Sequence, residues 1–152
     1  MVSQERGIHV IESTEEEAGD FTSLVSTTLV TDHGEFTAAG TIFGDKFLRL
    51  VKLDGFPLDA YLDGQMLIYR HEDKPGLIGF IGTECGAHDV NISHLALGRL
   101  QSGGDSVAVL NVDSEPSDEL RDKIANHLHV TGVDLVVLPP AGAPLPWLDS
   151  QG

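Results

Sequence analysis

A change of hydrophobic period near residue 65 constrains the fold more than any other feature of this 152-residue chain. From there to residue 138 a strand pattern, a helix pattern and a strand pattern follow one another, and the triplet then recurs. Residues 66–71 read as a strand, and Glu72-Asp73-Lys74-Pro75-Gly76 as a loop in which Pro75 fixes the start of a helix. Over 77–88 the helical spacing puts Leu77, Ile78, Ile81, Cys85 and His88 on one face. Residues 90–97 and 106–112 read as strands joined by a turn at Ser102-Gly103-Gly104. Pro116-Ser117 opens a second helix with Asp118 and Glu119 in its first turn, where the helix dipole favours acids, and a buried stripe of Leu120, Ile124 and Leu128. Gly132 turns the chain into a last strand over 133–138.

The order β-α-β-β-α-β predicts an α+β, ferredoxin-like module with two helices on one face of a four-stranded antiparallel sheet. Residues 7–62 have a different grammar of short β-branched runs and turns: 7–11, 21–31, 35–43, 48–53 and 56–62, punctuated by Asp32-His33-Gly34, Gly44-Asp45, Asp54-Gly55 and Asp63-Gly64. No helical spacing occurs before residue 76, so this part is expected to be an antiparallel meander. With no helix to cover it, such a meander must bury one face against something outside it. After Leu138 a proline-rich stretch predicts an extended tail, with Trp147 inside it.

Composition narrows the function classes. The formal net charge is −15, from 24 Asp+Glu against 9 Lys+Arg, which disfavours nucleic acid and anionic membrane as partners. The acids are dispersed apart from Glu12 to Glu17, read as a solvated loop. No apolar run reaches the roughly 20 residues of a membrane span, and no signal peptide is discernible, so the cytoplasm is the expected location. One cysteine excludes an internal disulfide. The seven histidines are scattered and lack the partners a zinc site requires. Neither a nucleophile elbow nor a paired carboxylate occurs, so no catalytic residues and no metal are assigned. Gly76-x-x-Gly79-x-x-Gly82 has the wrong spacing for a dinucleotide fingerprint. Glycines at 79, 82 and 86 instead suggest the close approach of another backbone, since each costs the helix about 1 kcal/mol relative to alanine.

The richest segment for binding is His71 to Gly76. It ends a strand and presents the unpaired N–H groups and positive dipole end of the following helix to an anion. Asp73 can accept an ammonium group, His71 can hydrogen-bond either way, and Asn91 offers both donor and acceptor. Together they suit a zwitterion; the alternative is that Asp73 and Asn91 are turn and cap residues only.

These residues also carry a family resemblance. Asp73-Lys-Pro-Gly-Leu-Ile-Gly, Gly82-Thr and His88-Asp-Val-Asn-Ile resemble the first βαβ of an ACT domain, a module that binds amino acids and regulates enzymes. Ala39-Gly-Thr-Ile-Phe-Gly, Arg49-Leu-Val-Lys-Leu-Asp-Gly-Phe, Leu97-Gly-Arg, Gly103-Gly, Val109-Leu-Asn-Val-Asp, Glu5-Arg-Gly-Ile and Phe21-Thr-Ser-Leu extend the likeness over about residues 4–138. The series is similar to the C-terminal end of long-form D-3-phosphoglycerate dehydrogenases, the NAD-dependent first step of L-serine biosynthesis. The resemblance implies part of an allosteric substrate-binding (intervening) domain at 1–64, an ACT domain at 65–138 and a tail at 139–152. It implies a C-terminal fragment without the NAD-binding and catalytic domains, and hence no cofactor held by these residues. It further implies L-serine or a related amino acid as effector, held between ACT domains of two subunits of a homo-oligomer. The residues that would line that site are His71, Asp73, Pro75, Gly76, Leu77, Ile78, Asn91 and Ile92. Lys46, Arg49 and Lys52 are the basic residues available for the anion that some members bind in the intervening domain. The alternatives are an oligomerisation module without ligand response, or the regulatory subunit of an L-serine dehydratase.

Overall fold

The computed structural model describes residues 7–11, 23–44, 47–140 and 142–143. Two four-stranded antiparallel sheets follow one another in the chain. The first is the meander β1 (Val25–Thr31), β2 (Gly34–Phe43), β3 (Phe47–Leu53), β4 (Phe56–Tyr61), paired in sequence order. Two of its turns are two-residue connections, Asp32-His33 between the paired Thr31 and Gly34, and Asp54-Gly55 between the paired Leu53 and Phe56. Asp54 and Gly55 both have positive φ, +48° and +86°, the backbone that an Asp-Gly hairpin turn supplies with the right twist.

The second sheet is built from β5 (Gln65–Glu72), β6 (Ile92–Arg99), β7 (Asp105–Val112) and β8 (Val130–Val137), in the spatial order β6-β7-β5-β8. Helices α1 (Leu77–Ala87) and α2 (Asp118–Ala125) are the crossovers, which makes this the split βαβ arrangement and the chain an α+β protein. Ser117 caps α2, its side-chain oxygen accepting from the Leu120 N–H.

Alternation along the central strands sorts residues onto two cores. Leu67 and Tyr69 of β5 and Ala108 and Leu110 of β7 face Leu77, Ile81 and Cys85 of α1 and Leu120 and Ile124 of α2. Burial pushes the Tyr69 phenol up to about 12, with a smaller contribution from Cys85. On the opposite face Met66, Ile68, Val107 and Val109 pack with Leu50 and Ala60 of the first sheet. Burial on both faces is why Met66-Leu-Ile-Tyr and Val107-Ala-Val-Leu read as unbroken apolar runs.

The sheets are joined polar group to polar group as well. The Asn111 amide on β7 grips Tyr61 of β4 at both backbone atoms: Oδ1 accepts from the Tyr61 N–H at 3.2 Å and Nδ2 donates to its carbonyl at 2.9 Å. Arg70 on β5 donates to Asp54 through Nε (3.1 Å) and Nη2 (2.7 Å), and to Asp134 of β8 through Nη1 (2.7 Å). At Gly98 a Cβ would stand 2.8 Å from the Pro57 carbonyl oxygen, so glycine is what lets β4 cross β6 there.

Several expectations need correction. Residues 7–11 carry no strand. The second helix ends at Ala125, so Leu128 falls outside it and is 82% exposed rather than in the stripe. Ile78 is exposed while Leu77, Ile81 and Cys85 are buried, because a helical face of that width turns away from the sheet at its edge. Gly132 lies inside β8, opposite Arg70, where the register shifts. A Cβ at Gly79, Gly82 or Gly86 would meet nothing within 4 Å, so these glycines do not admit another backbone of this chain; Gly98 does. Part of the meander is covered by the second sheet rather than by something absent. Expectations for Glu5, Arg6, the Glu12 to Glu17 cluster, Phe21, Thr22, Asp45, Lys46 and Trp147 lie outside the described residues. No helix among the described residues is long and apolar enough to cross a membrane.

Candidate functional site

The loop after β5 is held open in a defined shape by the hairpin that joins β6 to β7. Asp73 N–H donates to the Gly104 carbonyl at 2.9 Å. The Asp73 side chain then accepts at Oδ2 from Arg99 Nη1 at 2.7 Å and from the Gly103 N–H at 3.3 Å. The Arg99 guanidinium, and secondarily the Gly103 N–H, hold the Asp73 carboxyl below the usual carboxylate range. Gly76 precedes α1 with φ +90°, a left-handed turn that glycine adopts without strain. No side chain caps α1 and no acid stands in its first turn, so its N–H groups are not masked by the chain's own carboxylates.

Between these elements lies a cavity of about 490 Å³. Asp73, Lys74, Pro75, Gly76 and Ile78 form one wall; Arg99, Ser102 and Gly103 form the other. The exposure of Ile78, unexpected for a core helix, is explained by its place on this wall.

The structure therefore brings together four of the expected residues, Asp73, Pro75, Gly76 and Ile78. It does not bring the others to the same cavity within one chain. Leu77 belongs to the helix-side core, and Ile92 packs against its margin. His71 is 3% exposed, beneath the helices. Its Nδ1 lies 2.8 Å from the Glu72 carbonyl oxygen, which can only accept, so Nδ1 carries the proton. Nε2, and the hydroxyl of Ser106 on the residue paired across from it, are buried and make no hydrogen bond among the described residues. Asn91 stands exposed just before β6, the free edge of the second sheet, donating through Nδ2 to Asp113 at 2.6 Å. Arg49 has its guanidinium carbon 4.0 Å from the centre of the Tyr61 ring, with Nε 3.6 Å from Asp59. Lys52 is exposed, opposite Ala39 on one side and Pro57 on the other.

Arg99, Ser102 and Gly103 were not singled out from sequence as site residues. The signal available was the turn Ser102-Gly103-Gly104, whose hairpin brings residue 99 back beside residue 106.

The chain is similar to known proteins along most of its length. Residues 1–54 match the D-3-phosphoglycerate dehydrogenase intervening domain. The chain is 34% identical over 125 residues to a D-3-phosphoglycerate dehydrogenase of Archaeoglobus fulgidus, covering 81% of this chain and 24% of that protein. It is 29% identical over 138 residues to the Bacillus subtilis enzyme of that name, covering 91% and 26%. With the Synechocystis enzyme it shares 32% over 122 residues, 80% and 22%. The chain thus spans about a quarter of the length of the curated relatives it matches.

Proposed function

We propose that this chain, whose sequence matches a C-terminal part of D-3-phosphoglycerate dehydrogenases, is the regulatory portion of such an enzyme. In this reading residues 1–64 belong to the intervening domain, 65–138 form an ACT domain that binds L-serine or a related amino acid, and 139–152 are a tail. The parent protein oxidises 3-phosphoglycerate with NAD in the cytoplasm, using domains outside this sequence.

The observation that carries the proposal is the cavity at the Asp73 loop. It combines a carboxylate, two cations and an uncapped helix start within about 490 Å³, a set that suits the two charges of an amino acid. Asn91 fits the reading from a second copy. It stands beside the free edge of β6, so a sheet continued edge to edge across two subunits would carry one subunit's Asn91 toward its partner's Asp73 loop.

The test is calorimetric titration of the purified chain with the common amino acids. Saturable binding of L-serine or a close relative is expected, weakened at least tenfold by Asn91→Ala. The chain alone is expected to reduce no NAD with 3-phosphoglycerate. A second reading, assembly without ligand response, is favoured by one observation: within the chain Asp73 already accepts from Arg99, and Asn91 already donates to Asp113. A dimer that binds no amino acid would establish it.

A further inference from the structure

We infer that Arg99 is the carboxylate-binding residue of this site and that Asp73 and Arg99 act as one receptor for a zwitterion, an inference that rests on the amino-acid reading above. Three features of the pair carry it. First, both hydrogen bonds that Asp73 accepts fall on Oδ2, one from Arg99 and one from the Gly103 N–H. Oδ1 of the same carboxylate accepts none among the described residues, which leaves it to an ammonium group. Second, Arg99 donates to Asp73 through Nη1 only. A guanidinium has five N–H groups in a planar fork, so its other edge keeps donors free for a second carboxylate. The Arg99 side chain is half exposed and lies on the cavity wall, where a ligand reaches that edge without displacing Asp73.

Third, the charges of the wall add in the right sense. Asp73 contributes −1, and Lys74 and Arg99 contribute +2, so the titratable lining nets +1 in a chain whose formal net is −15. A ligand anion drawn there must be met by local cations, because the long-range field of the protein repels it. An ammonium ligand without a carboxylate would bring one more positive charge to that lining. An α-amino acid presents its opposite charges a few ångströms apart, as the 2.7 Å Asp73–Arg99 pair presents its own in reverse. Arg99 is thereby also a determinant of ligand class. It selects compounds that carry a carboxylate next to the amine over amines of the same shape.

The experiment compares L-serine with L-serinamide, which keeps the ammonium and the hydroxyl but lacks the carboxylate, on the full chain by calorimetry. If another amino acid binds better in the titration above, it and its α-carboxamide are used. Wild type is expected to prefer the acid by about tenfold or more, the worth of a charged hydrogen bond. In Arg99→Met the preference falls to about threefold or less, and Arg99→Lys, which keeps the charge but not the fork, lies between. Should the Met variant unfold, the Lys variant alone decides. Undiminished preference in the variants, or none in wild type, overturns the role of Arg99 and leaves amino-acid binding standing. Failure of every amino acid to bind wild type overturns both.

Discussion

Strands β1 and β7 have the same length class and similar β-forming composition, yet every residue of β1 is exposed while seven of the eight residues of β7 are buried. The difference is where each lies: β1 is the outer edge of the first sheet, and β7 is inside the second, between β5 and β6, with helices on one face and β4 near the other. Strand propensity is thus satisfied in both, but only the second module owns a closed core. Four residues of the first sheet are buried, Ala39, Thr41, Leu50 and Ala60, and the last two belong to a core shared with the second. Stability is therefore concentrated after residue 65, and the first sheet depends on its neighbour.

The sharpest way to break this comparison is to remove side chains from each strand. Leu110→Ala in β7 is expected to destabilise the chain by about 3 kcal/mol in chemical unfolding, as lost burial adds to a cavity. Val30→Ser in β1, at a residue 73% exposed, is expected to cost less than about 0.5 kcal/mol. An equal cost at Val30 would mean that β1 is covered in solution. Next comes the crossing of the sheets. Gly98→Ala sets a methyl against a backbone oxygen and the Phe56 Cβ, neither of which can rotate aside, and should cost about 2 kcal/mol. Amide exchange should then accelerate in β4 more than in β7, reporting a loosened junction. Smaller again is the ionic tie. Arg70→Met removes its bonds to Asp54 and Asp134 at a site about a third exposed, for about 1 kcal/mol. A double-mutant cycle with Asp54→Asn should recover most of that as coupling between the modules.

What the sequence made legible follows the same divide. The second module announced its topology, because two-sided burial leaves apolar runs and one-sided helices leave a 3.6-residue stripe. The Asp54-Gly55 turn was readable because few residue pairs tolerate two positive φ angles in succession. Residues 7–11 were misread as a strand because β-branched composition is met equally well by an extended segment with no partner. The site was half legible. Asp73 and Gly76 stood out by turn chemistry, whereas Arg99 is 26 residues from Asp73 and becomes its partner only through the register of β6 against β7. Long-range pairing of that kind leaves no local pattern in a chain.

The last contrast is one of charge, and Asp73 is its probe. Its carboxyl is held below the ordinary range by Arg99 first and the Gly103 N–H second, both in the folded state only. A carboxyl with a folded pKa below its unfolded one stabilises the fold when ionised. That contribution is present above the unfolded value and is lost as pH falls through the folded one. Carbon-detected NMR titration should place Asp73 below 3.8, and Arg99→Met should bring it back toward that value. The amides of Gly103 and Asp105 should shift in the same acid step, because the Gly103 N–H donates to the Asp73 side chain and the Gly104 carbonyl, in one peptide group with the Asp105 N–H, accepts from the Asp73 N–H. An ordinary titration of Asp73 in wild type would show that the pair does not form in solution. Asp73 and the two cations would then stand as separate charges on the wall rather than as one receptor for a zwitterion.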